Sequence, residues 1–205
     1  MIKHGTHRER NMTPAHHLRP WLAVLCAALL LGGCGFRRDG FDFGRMVLFS
    51  AVAGQIVHNG QPVAGATVTR NANFHGEEHT DSTVTDANGN FRFGTMKTFT
   101  LLFQVLPSEP VVPQDITVVA GATTQEVWSH VKRGYEDNNE LWFDTFDFFT
   151  QVREHLRIDA QTDPIRVVCR LGEEPKHTGR IWSTCDFIGK DGQPAKMVPF
   201  TPPSY

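Results

Sequence analysis

The sequence predicts an all-β fold, an antiparallel β-sandwich, and three observations predict it. Beyond residue 46 the apolar residues recur at every second position rather than with a period of 3.6. Turn-forming clusters break these runs at short intervals: Asn59-Gly60, the stretch from Asp86 to Gly89, Pro107 through Pro113, and Ala120-Gly121. No convincing amphipathic helix appears, the best candidate being the short stretch 150–156. Many short alternating strands at such spacing are the pattern of a sandwich.

The elements can be justified in order. Ala66 and Val68 alternate with Thr67 and Thr69. Phe91 and Phe93 flank Arg92. Phe99, Leu101, Phe103 and Val105 share one face, as do Ile116 and Val118, then Val127 and Val131. Near the end, Ile165, Val167, Cys169 and Leu171 alternate with Arg166 and Arg170. The stretch 189–205 is rich in Pro and Gly and reads as a loosely ordered tail.

The N-terminal region is of another kind. Residues 1–20 are basic and His-rich, and an apolar run of 11 residues from Trp21 to Leu31 leads to Gly32-Gly33-Cys34. A membrane-spanning helix needs about 20 apolar residues, so the run reads as a signal peptide over residues 1–33. Met12 would give the more usual length before such a run. Leu31-Gly32-Gly33-Cys34 resembles the bacterial lipobox. That resemblance implies a diacylglyceryl group on Cys34, cleavage before it, and acylation of the new N-terminus. One acyl chain binds a bilayer only marginally, and several hold it stably. Gly35 stands where an inner-membrane retention signal would place Asp, so the resemblance favours the outer membrane, facing the periplasm. Residues 34–45 mix Gly with charge and read as a tether.

Cleavage at that point would leave 172 of the 205 residues. Four bases and one acid go with the signal, so 16 bases face 21 acids, a net charge of −5. That balance argues against nucleic acid as a partner. The length leaves room for one domain, placed at 46–188.

Residues 46–130 resemble the carboxypeptidase regulatory-like (transthyretin-like) domain. The resemblance is carried by Gly54 to Val57, by Asn59 through Val68, and by Thr85-Asp86 through Gly89 to Phe93. It implies a transthyretin-like or immunoglobulin-like sandwich and is nearly silent on function. With the later Cys pair included, the pattern is similar to a group of small bacterial proteins carrying this domain. Each piece also has a mechanical reading. Asn59-Gly60 suits a tight turn with positive φ. Asp86 is placed to cap a turn, Gly89 to take its left-handed position, and Phe91 to plug the core.

Four cysteines are present. Cys26 would leave with the signal and Cys34 would carry lipid. Cys169 and Cys185 remain, in a compartment where disulfides persist. If their strands form one hairpin with Cys169 opposite Cys185, Val167 faces Phe187 and Leu171 faces Ser183. A disulfide is the favoured reading, with free buried thiols as the alternative.

Signals for catalysis are weak. His75-Gly76-Glu77-Glu78-His79 fits the H-x-x-E-H pattern of inverted zinc proteases. That chemistry needs both His on one face of a helix, whereas this stretch reads as an exposed loop between strands, and no metal or cofactor is expected. No G-x-S-x-G elbow and no phosphate loop occur. The segment from Leu141 to Phe149 holds Trp142, Phe143, Phe146, Phe148 and Phe149 with Asp144 and Asp147. It fills the end of the sandwich, or it forms a binding surface with Trp142, Phe143, Phe146 and Phe148 as anchors. The sequence therefore reads as a lipid-anchored, non-catalytic envelope protein with a protein partner. The alternatives are an immunity or inhibitor protein against a toxin or hydrolase, a carbohydrate-binding module using Trp142, and a metal-dependent enzyme.

Overall fold

The computed structural model describes residues 45–99, 109–147 and 152–201. Sixteen strands form there: β1 Arg45–Phe49, β2 Val52–His58, β3 Gln61–Pro62, β4 Thr67–Phe74, β5 Glu77–Val84, β6 Asn90–Phe93, β7 Met96–Phe99, β8 Val112–Ala120, β9 Thr123–Lys132, β10 Trp142–Asp147, β11 Val152–Ile158, β12 Ile165–Leu171, β13 Lys176–Thr178, β14 Ile181–Ser183, β15 Cys185–Phe187 and β16 Met197–Pro199. A 3-10 turn, Asn139–Leu141, precedes β10. The fold is all-β and sandwich-like, as the alternation predicts.

The largest sheet runs β13-β14-β9-β8-β4-β5. A five-stranded sheet runs β15-β12-β2-β3, with β6 also on β2. Two smaller sheets, β1-β7 and β10-β11-β16, complete the set. Inward-facing residues of the large sheets make the core: Val68, Ala72, Ile116, Val118 and Trp128 on one side, Ile56, Phe91, Phe93, Ile165, Val167 and Cys169 on the other. The expected alternations at 66–69, 91–93, 116–118 and 165–171 are all present.

Turn chemistry follows the residues. Asn59 (φ 51°) and Gly60 (φ 75°) join β2 to β3 as a two-residue hairpin. The Asp86 carboxylate accepts from the amides of Asn88 and Asn90, both at 2.8 Å, and from the Asn90 side chain at 3.0 Å. These bonds, the Asn90 side chain's first, hold its pKa below the usual carboxylate range.

Four expectations differ from the structure. Val131 does not share the core face of Val127. A β-bulge opposite Ile116/Thr117 places Val127 and Trp128 both inward, so parity reverses and Val131 is 40% exposed. As the lack of a convincing helix signal implies, the described part of the 150–156 stretch is strand, in β11, paired to β10 and β16. The supposed loose tail supplies β16, and Ala195 N donates to Phe187 O at 2.8 Å. The sandwich is not wholly antiparallel, since β12 pairs with β2 in parallel.

The fourth difference concerns the cysteine hairpin. Val167 faces Phe187 and Cys169 faces Cys185 as expected, and the two sulfurs are bonded. Leu171 does not face Ser183, because Ser183 pairs with Trp128 on β9. The chain changes sheet at Thr184. Its N–H donates to Val127 O (3.0 Å) in the large sheet, and its carbonyl accepts from Arg170 N (3.2 Å) in the five-stranded sheet. Of the face expected at 99–105, Phe99 is 68% exposed and the rest lies outside the described residues.

Candidate functional site

Two groups of polar residues stand out, one inside the sandwich and one on its surface. The interior group begins with a parity conflict. Arg70 lies in phase with Val68 and Ala72, Gln114 with Val112 and Ile116, and Lys132 with Trp128. Regular strands therefore carry these side chains into the core, where each is buried. Uncompensated, a buried charge costs several kcal/mol.

Compensation comes from β1 and the segment after it. Gln114 Nε2 donates to Leu48 O (2.7 Å) and to Glu140 Oε1 (2.9 Å). Glu140, on the 3-10 turn, accepts from Ser50 N (3.0 Å) and Ser50 Oγ (2.6 Å). Lys132 Nζ lies 3.4 Å from Glu140 Oε1 and also donates to Glu136 O; the Lys132 and Glu140 side chains are both 0% exposed. Arg70 donates to Ser50 O (3.0 Å) and forks onto Asp81 (3.0 and 2.8 Å). The Arg70 guanidinium lies over the Phe49 and Phe93 rings at 5.1 and 4.8 Å. The core-facing polar side chains thus bond backbone at Leu48 and Ser50 and clamp the entry strand onto the sheet.

Burial alone would raise the Glu140 pKa. The Lys132 charge and the hydrogen bonds from Ser50 and Gln114 outweigh it, so Glu140 is held below the usual range. His130 is shifted down, chiefly by burial, against a hydrogen bond to Arg180 O and the Glu140 charge. The whole group reads as structural: every charge in it meets another protein group.

The surface group lines an open groove of about 600 Å3 along β9. Ser129 and Val131 project from the solvent side of β9, and Trp182 comes from β14, opposite Ser129. Trp182 is 41% exposed while its neighbours Ile181 and Ser183 are buried. His177 on β13 pairs opposite Trp182, with the ring centroids 4.3 Å apart. Arg133 Nη1 lies 3.5 Å from Glu109 Oε2. Arg180 Nη2 donates to Asp144 O (3.1 Å), and the Asp144 carboxylate meets His155 Nδ1 at 2.6 Å. All four charged residues line the groove.

The residues singled out in the sequence fall as follows. Phe143 is 4% exposed and belongs to the core, with Gly179 of the β13–β14 turn packed on its ring, so it is no exposed anchor. Trp142 is half-buried and tilts against Phe200 at 5.4 Å. Phe148 and Cys34 lie outside the described residues, as does the side chain of Phe146. Cys169 and Cys185 form their disulfide inside the core. His75 (φ 52°) and Gly76 (φ 86°) are a two-residue hairpin turn between Phe74 and Glu77, and His79 lies on β5. The helical frame that H-x-x-E-H chemistry needs is therefore replaced by a β-hairpin. Among the described residues no group of three His, Cys, Asp or Glu is placed to hold a metal ion.

Sequence reasoning missed Trp182 and the interior network. Trp182 lies between buried Ile181 and Ser183, and its outward phase was legible once Ile181 was assigned to the core.

Residues 52–146 match a family described as a domain of unknown function (DUF6795). Comparison with curated proteins and with solved structures returns no match. The matched stretch holds Arg70, Gln114, Lys132 and Glu140, whereas Trp182 and the disulfide lie beyond it.

Proposed function

We propose that the chain is a lipid-anchored envelope protein whose β-sandwich binds a ligand and catalyses nothing. The observation that carries the compartment is the Cys169–Cys185 disulfide between paired core strands. Such bonds persist in oxidising spaces outside the cytoplasm. The apolar run ending in Gly32-Gly33-Cys34 supports export and lipidation. The resemblance of residues 46–130 to carboxypeptidase regulatory-like domains supports a non-catalytic sandwich.

Binding is placed at the Trp182 groove rather than on the segment around Trp142. The groove is open, and strands set its walls. Its acids and bases are engaged with one another (Arg133 with Glu109, Asp144 with His155) rather than aimed at a nucleophile. Orientation toward the periplasm from the outer membrane follows from Gly35 after the lipidated Cys.

The test is metabolic labelling with a tagged palmitate in the native host, followed by membrane fractionation. The wild-type chain should carry label and sediment with outer membranes. Cys34→Ala should lose the label and appear in the soluble periplasmic fraction. Label that persists in Cys34→Ala would refute the anchor.

A further inference from the structure

We propose that the groove between β9, β10 and β14 binds a neutral oligosaccharide, with the Trp182 indole as its stacking platform. The proposal rests on the binding reading above and supplies the class of ligand.

The first observation is Trp182 itself. A β-strand whose other side chains point into the core presents this indole to solvent at the groove wall. The contact with His177 on the neighbouring strand restricts its rotation before any ligand arrives. A fixed aromatic face costs little ordering entropy on binding. Pyranose rings offer a matching surface, because their axial C–H groups form an apolar face that packs on aromatic rings.

The second observation is charge balance. Two guanidinium groups, Arg133 and Arg180, and two carboxylates, Glu109 and Asp144, line the same groove. Their fields largely cancel, so the site has no net attraction for a polyanion or a polycation. It still offers donors and acceptors, and Ser129 adds a hydroxyl-bearing side chain to the lining. Carboxylates accept from hydroxyl groups, and guanidinium groups donate to their oxygens. A ligand rich in hydroxyls and free of charge uses both kinds of partner. An apolar peptide would find, besides Trp182, only Val131.

The third observation is size. About 600 Å3 lies within the range of small-molecule sites, roughly 300–1,000 Å3. The open shape suits an internal segment of a chain whose ends run past the groove.

The test uses the full chain, purified with its anchor in a detergent without a sugar head group. It is applied to an array of neutral and acidic oligosaccharides, and the strongest binder is titrated by tryptophan fluorescence and calorimetry. The expected result is saturable binding to neutral oligosaccharides. Trp182→Ala should weaken it by about tenfold or more, and Trp182→Phe should recover part of the loss. Arg180→Gln reads the same site without replacing the platform, and it should weaken binding with an unchanged melting temperature. Trp142→Ala should leave affinity unchanged. No binding to any neutral glycan, binding confined to acidic glycans, or affinity unaltered in Trp182→Ala would each overturn the proposal. Palmitate labelling is independent of these outcomes, so failure of the ligand and failure of the anchor are read separately.

Discussion

Lys132 and Glu140 place opposite charges where neither is exposed, and this pair decides how the interior tolerates polarity. Its attraction offsets desolvation only because Ser50, Gln114 and Glu136 complete the hydrogen bonding. Removing one partner should therefore cost far more than removing both. Glu140→Ala should destabilise the domain by about 3–5 kcal/mol in urea unfolding, and Lys132→Met with Glu140→Leu by much less. A loss below about 1 kcal/mol for the single variant would show that the pair is already satisfied by water. Acid should act on the same residues. Glu140 has a lowered pKa in the fold, so its contribution is present above the usual 4.5 and is lost as pH falls through the folded value. His130 is also lowered, so below about 6.5 the unfolded chain binds the extra proton and stability declines as pH falls. Both signs agree. The melting temperature should drop from pH 7 to pH 5, and His130→Asn should flatten that first part of the profile. Arg70 was in core phase already in the sequence, whereas Lys132 enters the core only through the bulge in β9 and Glu140 through the 3-10 turn. Arg70 and Glu140 bond Ser50 backbone 20 and 90 positions away, and alternation carries no information about such distances.

Elements show where pattern reading works and where it fails. Strands β4, β8 and β12 obey alternation because each has one buried face. Strand β9 breaks it at the bulge, where Val127 adds one residue and reverses every side chain after it. A bulge has no compositional mark, so Val131 was legible only with the partner strand in view. Strand β2 is held on both edges, by β12 and by β6, and Gly54 sits at the closest approach. A Cβ there would come within 2.6 Å of Val167 O and 2.9 Å of Phe91 Cε1. Gly54→Ala should destabilise by about 2 kcal/mol or more, measured by chemical denaturation, with Gly94→Ala as a nearby control that meets no atom within 4 Å. The disulfide closes a loop of sequence separation 16. Cys169→Ala with Cys185→Ala should cost about 3 kcal/mol. An unchanged unfolding midpoint after reduction of the wild-type protein would contradict that.

At the scale of the molecule, the sandwich class and the Cys169–Cys185 pairing were legible because both follow from local periodicity. The order of strands was not. The four sheets of the described residues, a parallel contact and a chain that crosses between sheets at Thr184 are set by which surfaces meet, and no short window of sequence contains both partners. The groove shares this property, since Trp182, Arg133 and Asp144 come from separate parts of the chain. A chain ending before β12 should lose cooperative unfolding and become sensitive to limited proteolysis, since β2 then lacks its neighbour. Retention of a protease-resistant core of native size would refute that dependence.

The parallel contact between β2 and β12 carries one more consequence. His58 meets Leu171 across 113 positions, so an early strand waits for one of the last. Such long-range closure is slow, and it cannot begin until most of the chain is available. A polypeptide built this way stays threadable while it is being synthesised. On the export route proposed above, it would pass through a narrow translocation pore as an open chain and fold on the far side, where oxidation of Cys169 and Cys185 would lock the late strands in place.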